Sequence, residues 1–436
     1  MDIDSARGGN GVNMEGFSAQ RALCMLVSFA CWLALLVGCV SGVLPPLSAA
    51  DEEARTANAD PFAALTAILA ESDAADDALP PFSADSWPNE RERFAARGEA
   101  ELSFGDVEGA LSVYQETHRR DAEVYGEGNW RVVEGAAQIA VVIAIRDLAD
   151  ESDRQAALDA IRGRRRAIDV ALTGHYDLAY DSITQARDDW GRVMGTDDVV
   201  FASLTHGLAK VEKLRHEGEA SRKHYLAALA LRQQQFGDDH PRVADTCDGL
   251  GMLYLDVFDD PASAREWLER AVAIRRRAQG VESTWYARSL LHLARTHLAE
   301  GDAATALELL DESIASYNAQ QTDERLSLFL PTMHMGRARA ALGELDQAET
   351  LLCEARQIAE AHLPPLNPFL AECLDELAAV LVESGEPLRA AAVATRAEHI
   401  RRAMAERGIY QPAVAADMGS PALLPVLPAR VSSASR

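Results

Sequence analysis

Alanine recurs on a fixed spacing along this chain, at Ala264, Ala306, Ala348 and Ala390, each 42 residues after the one before. Ala110 and Ala179 stand earlier, and the 85 residues from Ala179 to Ala264 leave room for one more, degenerate copy. A turn precedes most of these alanines: Gly105-Asp106, Gly174-His175-Tyr176, Gly301-Asp302, Gly343-Glu344 and Gly385-Glu386. A fixed period of this length means one supersecondary unit stacked many times, so the chain predicts a solenoid whose surface holds something.

Each unit carries two amphipathic helical patterns around its turn. Before Gly301, Leu290, Leu293, Ala294 and His297 recur at helical spacing; after it, Ala306, Leu309, Leu310, Ser313, Ile314 and Tyr317 do the same. A small residue also repeats ahead of the turn, in Leu208-Ala209, Leu250-Gly251, Leu293-Ala294, Met335-Gly336 and Leu377-Ala378. Small residues on facing helices let the two axes approach closely. The repeating alanine and this small residue therefore predict the contact that zips each helix pair.

The stretch from Gly237-Asp238-Asp239-His240-Pro241-Arg242-Val243-Ala244 through Gly249-Leu250-Gly251-Met252-Leu253-Tyr254 resembles the kinesin-light-chain type of tetratricopeptide repeat. So does Trp267-Leu268-Glu269-Arg270-Ala271-Val272-Ala273-Ile274, at the place of the family's second helix. The resemblance runs roughly from residue 90 to 405. It implies an all-α, right-handed superhelical solenoid of 42-residue helix-turn-helix repeats, with the first helix of each pair lining the concave surface. It also implies protein–protein interaction and no catalysis. The family's paired asparagines are replaced here, by His206-Gly207 and Asp248-Gly249 among others.

By length, 436 residues would suggest two or three globular domains, but a solenoid grows by adding neighbours and one array from 89 to 406 is expected. The formal net charge of −26 argues against a nucleic-acid binder, which needs a basic footprint. Six cysteines show no Cys-x-x-Cys spacing, so neither a metal site nor a disulfide framework follows.

Ala22 to Leu44 is free of charge and reads as a signal peptide or a membrane anchor within residues 1–50. Ser48-Ala49-Ala50 has the form of a signal-peptidase site, and Leu36-Val37-Gly38-Cys39 that of a bacterial lipobox, which makes Cys39 a lipidation candidate. The expected place is a bacterial cell envelope, with a single-pass membrane protein as the alternative. Residues 51–88 read as an acidic, Ala-rich tether, and 407–436, with four prolines, as a disordered tail. Gly105 to Gly174 spans 69 residues, or 42 plus 27, and an additional helix at Arg154–Ala167 is expected to fill the excess.

No phosphate-binding loop, zinc-protease or serine-hydrolase motif occurs, so no catalytic residue, cofactor or metal is assigned. One constellation stands out. Arg288, His292 and Arg295 share one helix face; His334 and Arg337 repeat the last two positions one unit later, and Lys210 holds the Arg295 position earlier. A basic strip in an acidic protein would select carboxylates of a peptide or partner. The same residues would equally serve as internal ion pairs with neighbouring helices. The expected function is a non-enzymatic scaffold binding a peptide or partner protein in its groove. The alternative is a regulatory or sensor subunit controlling a separate effector.

Overall fold

A computed structural model describes residues 84, 87–319 and 325–406, all within the unit Pro80–Arg436. The signal or anchor segment with Cys39, the tether and the tail lie outside the described residues, apart from the last few positions of the tether. Among the described residues there are fifteen α-helices and no strand. The first three are α1 (Trp87–Phe104), α2 (Val107–Tyr125) and α3 (Trp130–Arg146). Then antiparallel pairs follow one another: α4 (Glu151–Leu172) with α5 (Tyr176–Val193), and α6 (Val199–Leu214) with α7 (Gly218–Phe236). Next come α8 (Pro241–Asp256) with α9 (Pro261–Gln279), and α10 (Thr284–Ala299) with α11 (Ala303–Ala319). A 3-10 turn at Arg325–Leu328 leads into α12 (Phe329–Ala341) with α13 (Leu345–His362), and α14 (Pro368–Glu383) pairs with α15 (Pro387–Glu406).

The glycine-acid turn works at both of its residues. Gly301, at φ +83, lets the Asp302 N–H reach back to the carbonyl of His297 at 2.8 Å, closing the end of α10. The Asp302 carboxylate then accepts from the Thr305 N–H at 3.1 Å and starts α11. Past the turn, Ala264, Ala306 and Ala348 are fully buried. Opposite them the small residues are required: a Cβ on Gly251 would meet Leu268 Cγ at 2.5 Å, and one on Gly336 would meet Leu352 Cγ at 2.7 Å.

The degenerate copy is α6–α7. Ser221 takes the alanine place, fully buried, with its hydroxyl donating to the Ala209 carbonyl at 2.8 Å. His216, at φ +60, stands where most of the other turns have glycine, as does Asp259, at φ +53, between α8 and α9.

The irregular region differs from expectation. The additional helix is α3, and residues 154–167 belong to the unbroken α4, first member of a regular pair. Gly163 does not break α4 because it serves a close approach: a Cβ there would lie 3.0 Å from Ala186 of α5.

Which helices face inward follows from their contacts. Consecutive first helices (α4, α6, α8, α10, α12, α14) touch one another, while consecutive second helices make no comparable contact. First helices therefore lie on the inside of the curve, and they are also the more buried set: ten residues of α10 are buried against four of α13.

Candidate protein-interaction face

The inner helices carry a ladder of ionic side chains from α8 to α14. On α8 stand Asp245, Asp248 and Asp256, one repeat before the predicted cations of α10. Arg288 is buried, its guanidinium lying over the Trp285 ring at 4.2 Å and within 3.9 and 4.0 Å of Asp245 and Asp248. His292 is 3.6 Å from Asp248. Arg295 donates to Asp256 at 2.9 Å, and Asp256 also pairs with the buried Lys213 at 3.3 Å. On the far side Arg337 of α12 meets Glu376 at 3.2 Å and Glu372 at 3.8 Å, both on α14.

The strip is thus drawn together by the fold, with its cations set against acids of the same chain. His292, Arg295, His334 and Arg337 lie close enough to influence one another electrostatically. Lys210 is set apart, partly exposed on α6 next to His206, where its charge helps to keep that imidazole neutral after burial has done most of the work.

Charge state follows from burial. His334 is pushed well below the usual imidazole range by burial, then by Arg337, Arg295 and His292. Burial alone would raise Asp245, but Arg275, Arg242, Arg232 and Arg288 outweigh it and hold that carboxyl well below the usual range. Glu372 goes the other way, raised by burial against the pull of Arg295 and Arg337. On α12 and α14 two side-chain atoms, His334 Nδ1 and Glu372 Oε2, are buried with no hydrogen-bond partner among the described residues. Buried polar atoms ordinarily have a hydrogen-bond partner, whether protein or water.

Sequence reasoning allowed for ion pairs with neighbouring helices but did not name the acids. Asp245, Asp248, Glu372 and Glu376 sit on the first helices either side of the strip, and only pairing each first helix with the next would have revealed them. Among the described residues no group of three or more His, Cys, Asp or Glu side chains could hold a metal ion. Cys247 and Cys373 are buried thiols, both pushed up to about 12 chiefly by burial.

Family models described as tetratricopeptide repeat match residues 201–242 and 258–319, the segments that hold most of α6, α7, α9, α10 and α11. Over these segments the array matches tetratricopeptide repeats. Among curated proteins, the chain is similar to clustered mitochondria protein homologs of fungi. That of Ajellomyces capsulatus is 32% identical over 98 residues, 22% of this chain and 8% of the relative. That of Aspergillus niger is 29% identical over 105 residues, 24% of this chain and 8% of the relative. The chain therefore spans under a tenth of the length of these relatives. Among solved structures it is similar to kinesin-light-chain TPR-like repeats of Podosopora anserina, at 23% identity and TM-score 0.39, covering 47% of this chain and 97% of that one. BtubC (BKLC) of P. vanneervenii shares 20% identity at TM-score 0.41 over 60% of this chain and 95% of that one. A Rap protein complexed with competence and sporulation factor shares 14% at TM-score 0.46, over 73% and 99%.

Proposed function

We propose that this tetratricopeptide-repeat scaffold binds an extended segment of a partner protein along the inner face of its first helices, without catalysis. The observation that supports this reading is the unfilled pair on α12 and α14, His334 Nδ1 and Glu372 Oε2, flanked by the partly exposed Arg337 and Glu376. An extended peptide offers both donors and acceptors to such a face, and a carboxylate on it would exchange with Glu376 for the Arg337 guanidinium. In this reading Arg337 and Lys210 reach the ligand. Arg288, His292, Arg295 and His334 form the floor beneath it.

A random-peptide display library panned against the full chain tests this. Peptides with acidic side chains or a free carboxyl end are expected to enrich, to weaken with salt, and to bind Arg337→Glu about 30-fold less well, roughly 2 kcal/mol. The melting temperature of the variant should hardly move. Reproducible peptides that bind the variant as well as the parent would overturn the reading.

The membrane association expected of residues 22–44, with Cys39 as lipidation candidate, also stands as part of this proposal; no helix among the described residues is long and apolar enough to cross a membrane. The bacterial envelope rests on the form of Leu36–Cys39 alone, since the curated relatives named above are fungal.

A further inference from the structure

Helix α3 belongs to no pair. It packs on α2, its last turns (Val141, Val142, Ile145) enter the core shared by α1, α2, α4 and α5, and it has little contact with α4, its own successor in the chain. Its first turns go elsewhere. The Trp130 indole N–H donates to the Ala278 carbonyl in the last turn of α9, 148 residues on, at 2.9 Å. His240, ahead of α8, donates from Nε2 to the Trp130 carbonyl at 3.3 Å, with the two rings edge to face at 6.0 Å. The buried Glu134 carboxylate accepts from Arg242 of α8, from Nε at 2.8 Å and from a terminal guanidinium nitrogen at 2.5 Å. Arg242 outweighs burial and keeps Glu134 below the usual carboxylate range.

These contacts have no counterpart in a solenoid, where each unit meets only its neighbours. They close a loop of chain from α3 through α4–α7 to α8 and α9. Helix α3 also touches α6 and α7 within that loop, but its ties to α8 and α9 are mainly hydrogen bonds and an ion pair, and Gly126 and Gly128 ahead of α3 have open space around them. We propose that the first turns of α3 are a releasable strap: Trp130 and Glu134 fasten the array shut against α8 and α9, and their release opens its curve and frees the first turns of α8. The inference goes beyond the partner-binding reading and stands without it, because the strap is fastened by Trp130 and Glu134 of α3, neither of which is among the residues assigned to the proposed ligand.

Arg242 continues inward. It lies 3.9 Å from Asp245, which accepts from Arg275 at 2.7 Å, and Arg275 lies 2.5 Å from Asp248, the neighbour of His292. An unbroken line of ion pairs thus joins the strap to the inner face, so a change at either end has a physical route to the other.

Hydrogen exchange on the full chain, read by mass spectrometry, tests the strap. Glu134→Gln and, separately, Trp130→Ala are expected to speed exchange about tenfold or more in both 130–136 and 241–246 while α12–α15 stay as in the parent. The charge swap Glu134→Arg with Arg242→Glu should restore protection at both places. Scattering from the same variants should report a larger radius of gyration for the two single changes and the parental value for the swap. Unchanged exchange at both segments overturns the proposal. So does faster exchange in every helix, since α3 would then be ordinary core, and so does a rise in one segment without the other.

Discussion

Small side chains decide how closely each helix pair can approach. Ala306 and Ala348 are fully buried in that contact, whereas Ala304, two residues earlier than Ala306, is exposed. Leucine at Ala306 or Ala348 is expected to overpack and cost ~1–3 kcal/mol, with leucine at Ala304 close to neutral; thermal melts of the three variants check it. Ala303 does not serve as that control, being buried itself. Asp245 adds a pH dependence. Its carboxyl is depressed in the fold, so the stability it confers is present above the unfolded value of about 4 and drains away as pH falls below it. Asp245→Asn should therefore melt lower than the parent at pH 7 and lose less on acidification. A parallel drop in both proteins between pH 5 and 3 would show that this carboxylate is not the sensitive group.

Helices were legible where the period held. The repeating alanine located every pair from α8 to α15, and the glycine-acid turn those from α10 onward, because each signal answers a local need: a positive φ, a cap, a close approach. Even the degenerate copy obeys the spacing, since Ser221 falls 42 residues after Ala179 and 43 before Ala264. The misplacement of the extra helix had a physical cause. Nothing local marks α3 as unpaired, for its partners Arg242 and Ala278 lie 108 residues and more away and follow no period. The candidate strip was legible as positions and illegible as chemistry, because the acids that neutralise Arg288 and Arg295 come from the preceding repeat. One cap deserves its own test. Asp198 starts α6 by accepting from the N–H groups of Val200 and Phe201, and it also accepts from the Trp190 indole at 2.7 Å. Asp198→Ala should cost ~1–2 kcal/mol, with the loss seen as faster exchange at the α5–α6 junction.

Across the described residues, packing is divided among several cores. One spans α1 to α6, and another binds α12 to α15 from Phe329 to Met404. Stability in such an array is a sum over neighbours, so denaturant is expected to loosen α12–α15 at a different midpoint from α1–α6, as residue-resolved exchange would show. A single midpoint for all helices would contradict that division. The N-terminal segment invites a separate measurement: intact mass of protein taken from native membranes should show a lipidated chain from Cys39, a chain from Asp51, or the uncut chain. Full-length protein found free in the cytosol would rule out export.

The bond between Trp130 and Ala278 has a consequence for how such a chain can change over generations. Gain or loss of one repeat between Asp147 and His240 would carry α8 and α9 out of reach of α3 and break contacts that no neighbouring repeat can replace. Beyond Gly280 no such tie exists among the described residues. Duplication and deletion of repeats are therefore held in check ahead of that glycine and left free behind it, so related chains should share a constant count in the first part and differ in length in the second.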